Sequence, residues 1–528
     1  MVATSDEYAT NTGLQILKKG GNAVDAAVGI AMVLAVTYPQ AGNIGGGGFL
    51  IYRSADGETF ALDYREKAPM SAWKDMYLDK NGDVIENKSL IGYSASGVPG
   101  TVAGLFIAHK RFGILTWEEL IQPAINLAEN GFIINRYISN SIKSNVKKLE
   151  KFRSSEIIFI PNGKELEEGE RLIQKDLAKT LIRIRDKGAL GFYSGETAKL
   201  IDRDMQANGG LISADDLKAY KPLWRKPVHF TYRGYEIYSM SPPSSGGIIL
   251  AEILNSLENI DLTELSHNSA NSIHFWVETE KQAYADRAEH LGDSDYYDVP
   301  IKLLISKKHG VEIFNRINPF KTFPSNKVHA AKLEHGETTH FSIVDSYGNA
   351  VSNTYTLNGS YGSGVVIKGT GILMNNEMDD FAIKPGFSNL YGLVGSEANS
   401  IETEKRMLSS MTPTIVTKND SLYLITGSPG GAQIITTVAQ VISNVIDHKM
   451  NIREAVEAPR FHHQWLPDTV YYEQKGFTID VLNNLKNKGH LLKQTRSIGD
   501  VQAILWDGYH KEWTGWSDPR GNGLSRGF

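Results

Sequence analysis

The hydrophobic pattern of this chain changes period at His340. Upstream, over about 101–200, apolar residues recur mostly at helical spacing among many charges. From His340 onward, 340–345 and 349–356 read as paired strands around the turn Ser346-Tyr347-Gly348. Further strand pairs are predicted at 49–52 with 60–65, across Asp56-Gly57, and at 228–240, turning at Arg233-Gly234. Others fall at 414–417 with 421–426, and strands return near 501–506. Helices are predicted at 23–36, capped by Asn22, at 269–291 and at 432–446. Thr116-Trp117-Glu118-Glu119 is a capping box, and Ser213-Ala214-Asp215-Asp216 resembles another helix start. Residues 294–337 show no regular pattern. The result is an α+β chain, with helices flanking largely antiparallel sheets and no repeat or flexible linker.

Composition narrows the chemistry. None of the 528 residues is Cys. Disulfides, thiolate zinc sites, iron–sulfur clusters and a Cys nucleophile are therefore excluded. Lys and Arg number 55 against 60 Asp and Glu, so no basic excess points to nucleic acid. The most apolar stretch, 26–36, is far shorter than the ~20 residues of a spanning helix. The start of the chain has neither a basic nor an apolar leader region, so the expectation is a cytoplasmic protein or one whose leader has been removed. Length alone suggests two to four domains or one large fused one.

Several motifs carry less than their letters suggest. Gly45 to Gly48 precede a strand rather than a helix, and no Lys-Ser/Thr pair closes a phosphate loop. A tight turn or a close backbone approach is expected there. His462-His463 have no third metal ligand at a recognisable spacing, so no metal is expected. Gly523-Leu524-Ser525-Arg526-Gly527 matches a nucleophile elbow but leaves no room for the helix that must follow it.

Glu337-Thr338-Thr339-His340 stands directly before a strand. A Thr hydroxyl attacks only when a base takes its proton. Its own α-amino group, with a pKa of about 7.7–8.0, would serve if Thr338 were N-terminal. That requires the Glu337–Thr338 bond to be cut. Residue chemistry alone does not separate this from a plain strand start, which is the commoner case.

The segments 338–345, Gly348-Asn349-Ala350-Val351 and 354–358 resemble the small-subunit start of the γ-glutamyltranspeptidases, which are N-terminal-nucleophile hydrolases. In order after them come 371–381, Leu408-Ser409-Ser410-Met411-Thr412-Pro413-Thr414 and Gly427-Ser428-Pro429-Gly430-Gly431. Upstream, 20–27, 39–43, Asp63-Tyr64-Arg65-Glu66, Pro242-Pro243-Ser244-Ser245-Gly246-Gly247 and Tyr284-Ala285-Asp286-Arg287 resemble the large subunit.

The resemblance implies a four-layer αββα sandwich and a precursor that cuts itself between Glu337 and Thr338. Residues 1–337 and 338–528 would then be two subunits sharing one core. Thr338 would be the nucleophile, supported by Thr356, with Gly430 and Gly431 as the oxyanion hole. Arg65 would grip the substrate α-carboxylate together with Ser409 and Ser410. Asp380, Glu377 and Asn358 would hold the α-ammonium; Glu377 stands where many bacterial relatives have Gln. Tyr391 would be the gating aromatic of a lid, 385–395, that relatives acting on cephalosporins or poly-γ-glutamate tend to lack. Tyr284 and Asp286 are expected only to pack and cap their helix. Arg406-Met407-Leu408 replaces the commoner Arg-Pro-Leu, with only a local backbone effect expected.

The activity implied is γ-glutamyl transfer and glutathione hydrolysis, with water, an amino acid or a dipeptide as acceptor and no cofactor. The resemblance also implies a periplasmic or secreted protein. Two alternatives stay open: a same-fold acylase acting on a cephalosporin-type or poly-γ-glutamate amide, and a non-catalytic uncut homologue.

Overall fold

Along the strand Gly47–Arg53, Phe49 and Ile51 enter one hydrophobic core and Leu50 and Tyr52 another. Period-two alternation with both faces buried places this strand in a sheet covered on both sides. The computed structural model describes residues 1–325 and 338–528. Its two main sheets use the strands β1 (Val2–Thr4), β2 (Gly47–Arg53), β3 (Thr59–Asp63), β4 (Leu223–Arg225), β5 (Val228–Tyr232) and β6 (Tyr235–Ser239). They continue with β7 (Thr338–Val344), β8 (Ala350–Thr356), β9 (Thr414–Lys418), β10 (Ser421–Gly427), β11 (Gln502–Asp507), β12 (Glu512–Ser517) and β13 (Leu524–Arg526).

The seven-stranded sheet runs β13-β1-β7-β8-β2-β3-β4, and the six-stranded one β12-β11-β10-β9-β6-β5. All of these pairings are antiparallel. Helices α1 (Glu7–Lys18) and α2 (Ala23–Thr37) share the core on the outer face of the first sheet. Helices α3 (Gly246–Leu257), α4 (Ala270–His290) and α6 (Gln433–Ile446) share the core of the second; α5 (Lys307–Arg316) lies beyond α3. The order helix, sheet, sheet, helix is the expected αββα sandwich.

Local signals explain the main elements. The capping box of α2 has Asn22 accepting from Asp25 while Asp25 accepts from the Asn22 N–H. Every α2 residue is buried, and beyond Asp25 in its first turn the helix carries no charge. The β5–β6 hairpin turns through Arg233 and Gly234, both at positive φ, as a two-residue turn requires.

Polar side chains bridge the sheets. Ser342 Oγ donates to Gln502 O at 2.9 Å and Ser352 Oγ to Thr426 O at 3.0 Å. His340 lies buried among them, its ring nitrogens 2.8 Å from Thr354 Oγ1 and 3.1 Å from Ser342 Oγ. Burial drives its pKa down to about 3, so it stays neutral. Gly427 makes room, since a Cβ there would overlap the imidazole.

Three expectations are refined. Gly47 and Gly48 are not loop but the first residues of β2; Cβ atoms there would sit 2.5 Å from Tyr64 O and Thr354 O. The glycine run therefore serves close backbone approach. Within 294–337, Ile301–Leu304 and Lys307–Arg316 are helical. Only Gly310 and Ile313 of α5 are buried, too narrow a stripe to show as a helical period. Leu524–Arg526 is an edge strand beside β1, not an elbow. Among the described residues no helix is long and apolar enough to cross a membrane.

Candidate active site

β7 begins at Thr338 and pairs with the end of β8, so Thr338 lies opposite Thr356. Their hydroxyl oxygens are 3.5 Å apart. Thr356 Oγ1 also accepts the Asn358 N–H at 2.8 Å. Asn358 has φ +74°, a conformation Asn tolerates, and its amide donates to Asn376 O at 3.1 Å. Glu337 lies outside the described residues.

Arg65 follows β3 by two residues and is fully buried. Its Nη1 lies 2.6 Å from Glu377 Oε2 and 3.5 Å from Glu66 Oε2. Its Nη2 lies 2.6 Å from Asp380 Oδ2, and Nε donates to Met407 O at 3.3 Å. The fork is thus held in one plane by groups from three parts of the chain. One guanidinium cannot neutralise three carboxylates, two of them, Glu66 and Glu377, fully buried. Burial, opposed by Arg65 but reinforced by neighbouring carboxylates, pushes Glu377 well above the usual range and Glu66 up to about 7.

The Glu66 shift has a sign that thermal unfolding can read. A carboxyl whose folded pKa is raised contributes stability below its unfolded value near 4.5, and that contribution is lost as pH rises through about 7. Asp380, Asp63 and Arg65 face it. We therefore expect the Tm of Glu66→Gln to gain on the wild type between pH 4.5 and pH 8. A Tm difference that does not change with pH would refute this.

Pro242 to Gly247 straps the Ser409-Ser410 loop. Ser409 N donates to Pro243 O at 2.9 Å and Ser245 N to Ser409 O at 2.8 Å. Arg287, on α4, donates to Ser245 Oγ at 3.0 Å and Ser410 Oγ at 3.2 Å. Because Arg has no acceptor, Ser410 must accept there, which leaves its own proton for another partner. Burial lowers the Arg287 pKa to about 10, still charged at neutral pH. Arg287 forms no ion pair among the described residues. Its role was not anticipated; the only signal was a buried-face cation closing the Tyr284-Ala285-Asp286-Arg287 motif.

Gly430 and Gly431 immediately precede α6, with φ +134° and +55°. Neither backbone N–H meets an acceptor among the described residues, and both stand at the positive end of the helix dipole. A Cβ on Gly431 would overlap the Tyr391 ring. Tyr391 OH donates to Asn358 O at 2.7 Å. Its loop is tied down where Leu390 N meets Asp379 at 2.7 Å and Asn389 meets Asp380 at 2.9 Å. Gln464 donates to Tyr391 O at 2.9 Å and is itself oriented by His462, 2.9 Å away. The other ring nitrogen of His462 meets Thr436 at 2.8 Å, so this residue buttresses the loop. Tyr284, as expected, packs: its hydroxyl donates to Ala432 O under the start of α6.

Thr338, Thr356, Asn358, Arg65, Asp380, Tyr391, Ser409, Ser410 and Gly431 all line one narrow cleft, joined by Arg287. Glu377 stands behind Arg65, and Gly430 one residue back. A nucleophile-type hydroxyl, a guanidinium, two serines and a carboxylate thus face one cleft, with the N–H groups of Gly430 and Gly431 at its edge.

The sequence profile described as Gamma-glutamyltranspeptidase matches residues 9–528. The chain belongs to the γ-glutamyltranspeptidase family. It is similar to the glutathione hydrolase proenzyme of Escherichia coli (strain K12), 48% identical over 524 residues, spanning 98% of this chain and 90% of that one. The corresponding proenzyme of Pseudomonas aeruginosa is 48% identical over 536 residues, spanning 99% and 93%. Among solved structures, the cephalosporin acylase from Bacillus halodurans superposes with a TM-score of 0.87 at 27% identity, covering 99% of this chain and 94% of that one. As a member of the γ-glutamyltranspeptidase family, the chain is an N-terminal-nucleophile hydrolase.

Proposed function

We propose that this protein is a glutathione hydrolase and γ-glutamyltransferase made as a self-cutting precursor. The observation that carries the reading is the single cleft in which Thr338 faces a cradle for a zwitterion. A γ-glutamyl group carries an α-carboxylate and an α-ammonium at one end and the reacting carbonyl a short chain away. Arg65 with Ser409 and Ser410 suits the carboxylate, and Asp380 with Glu377 and Asn358 suits the ammonium.

In this mechanism the precursor is cut between Glu337 and Thr338, freeing the Thr338 amine. That amine takes the hydroxyl proton, and Oγ1 attacks the γ-carbonyl. The Gly430 and Gly431 N–H groups stabilise the developing oxyanion. The leaving amine takes the proton, and a γ-glutamyl ester remains on Thr338. Water, an amino acid or a dipeptide then attacks the ester and regenerates the hydroxyl. Thr356 positions Oγ1, and the Tyr391 loop keeps bulk solvent from the ester. Two subunits, 1–337 and 338–528, would result. Family resemblance supports a periplasmic or secreted location, and the reading requires no cofactor.

The similarity to a cephalosporin acylase keeps a second substrate class in view. Comparing γ-glutamyl-p-nitroanilide with glutaryl-p-nitroanilide separates the two, because glutaryl lacks the α-ammonium. A site built around a buried carboxylate rejects a substrate that leaves it unpaired. We expect kcat/KM to favour the γ-glutamyl substrate by at least ~100-fold. Preference for glutaryl would overturn the assignment.

A further inference from the structure

Three helices behind the cleft converge on a second group of ionisable side chains. Glu252 comes from α3, Asp286 from α4 and His309 from α5. One ligating atom from each lies within 4.8 Å of the others. Glu252 is fully buried, and neither carboxylate oxygen has a hydrogen-bond partner. A buried carboxyl without a partner is costly, and protein interiors rarely leave one so. The close approach of α5 is built in: a Cβ on Gly310 would sit 2.6 Å from the Asn255 backbone of α3.

We propose that Glu252, Asp286 and His309 bind one divalent transition-metal ion of the Zn²⁺ type. The donors are one imidazole and two carboxylates, a set that suits Zn²⁺; Ca²⁺ would need six to eight oxygens. Asp286 Oδ2 and His309 Nε2 are already 3.1 Å apart. Two donors on one zinc, each about 2.0–2.2 Å from it, are separated by roughly that distance. The other oxygen of Asp286 accepts from Gln282 Nε2 at 2.9 Å, the kind of outer bond that orients a metal-binding carboxylate. Two carboxylates and a neutral imidazole carry a charge that a divalent ion cancels, so the loaded cluster is neutral where it is buried. The Glu252 carboxyl releases any proton it carries to the solvent as the ion enters.

The neighbouring set His274, Glu278 and His490 does not offer the same. There Glu278 is already taken up by Thr322, the Phe323 N–H and Lys281, so that set holds no unpartnered carboxylate.

The ion would fix the last turns of α4, where Arg287 follows Asp286 directly. The binding itself does not depend on the proposed activity, and its test reads the metal. Full-length protein is stripped with chelator, dialysed against Zn²⁺ and assayed for bound metal and for Tm. The wild type is expected to retain about one Zn²⁺ per chain with a raised Tm. Co²⁺ in its place is expected to give visible ligand-field absorption. His309→Gln and Glu252→Gln, each checked for wild-type circular dichroism, are expected to weaken binding by more than ~100-fold, since even outer-shell changes cost about 10–100-fold. Wild-type protein that retains no more Zn²⁺ than a buffer control would overturn the proposal. So would variants that bind Zn²⁺ as the wild type does, which would assign the ion to other histidines.

Discussion

Thr338→Ala protein will remain a single 58.3 kDa chain on a denaturing gel after long incubation, and its turnover of γ-glutamyl-p-nitroanilide will fall by at least ~10⁴-fold. Both effects follow from one atom. Among the described residues the Thr338 hydroxyl alone stands at a strand start, faces the cleft and lies 3.5 Å from the Thr356 hydroxyl. The same oxygen that attacks a γ-glutamyl carbonyl is proposed to attack the carbonyl of Glu337 first. The substitution removes little volume, so the Tm should stay within a few degrees of the uncut wild type. Cleavage at the same bond in Thr338→Ala would show that another group cuts the chain. Processing without turnover would separate the two roles assigned to this residue. Mass spectrometry of the mature wild type supplies the complement: two products ending at Glu337 and beginning at Thr338.

The second large effect is expected at Arg65. Arg65→Lys keeps the positive charge but replaces a planar fork with a point charge. The fork now meets Glu377, Asp380 and Met407 O from three directions, and a single ammonium cannot reproduce that set. Breaking a buried charge pair costs about 2–5 kcal/mol. We therefore expect kcat/KM for γ-glutamyl donors to fall by roughly 100-fold or more, mainly through KM, with cleavage of the precursor retained. Steady-state kinetics beside a gel of the processed variant checks both parts. An unchanged KM would remove Arg65 from the carboxylate-binding role.

Much of the fold was legible because its signals are local. The Asn22 cap, the Arg233-Gly234 turn and the alternation in 340–356 each lie within one element, and each element formed where expected. The cleft was legible for a different reason. Its residues lie hundreds of positions apart, and only the ordered motifs of a family could assemble them. What stayed hidden was long-range and carried no motif role. Arg287 looks like a helix-closing cation until the Ser245 and Ser410 hydroxyls arrive from two loops. The glycines at 45–48 show their purpose only once the carbonyls they approach, from residues 64, 354, 356 and 373, are in place. Glu252, Asp286 and His309 follow no local ligand spacing, and the helix carrying His309 buries too little to announce itself.

The sheet order has a consequence for the life of the cut protein. Every strand before the proposed cut belongs to one product and every strand after it to the other. In the first sheet β1 lies between β13 and β7, and β8 lies against β2; in the second, β9 lies against β6. Four backbone ladders thus join the two products, and both sheets are shared. Dilution, which separates ordinary partners, has no purchase on such a pair: the products part only by unzipping the sheets, which is unfolding. Either half made alone would present open sheet edges and invite aggregation. Carrying both halves in one chain keeps those edges paired as the protein folds, and a break at the proposed bond would change the chemistry of one residue without loosening the molecule.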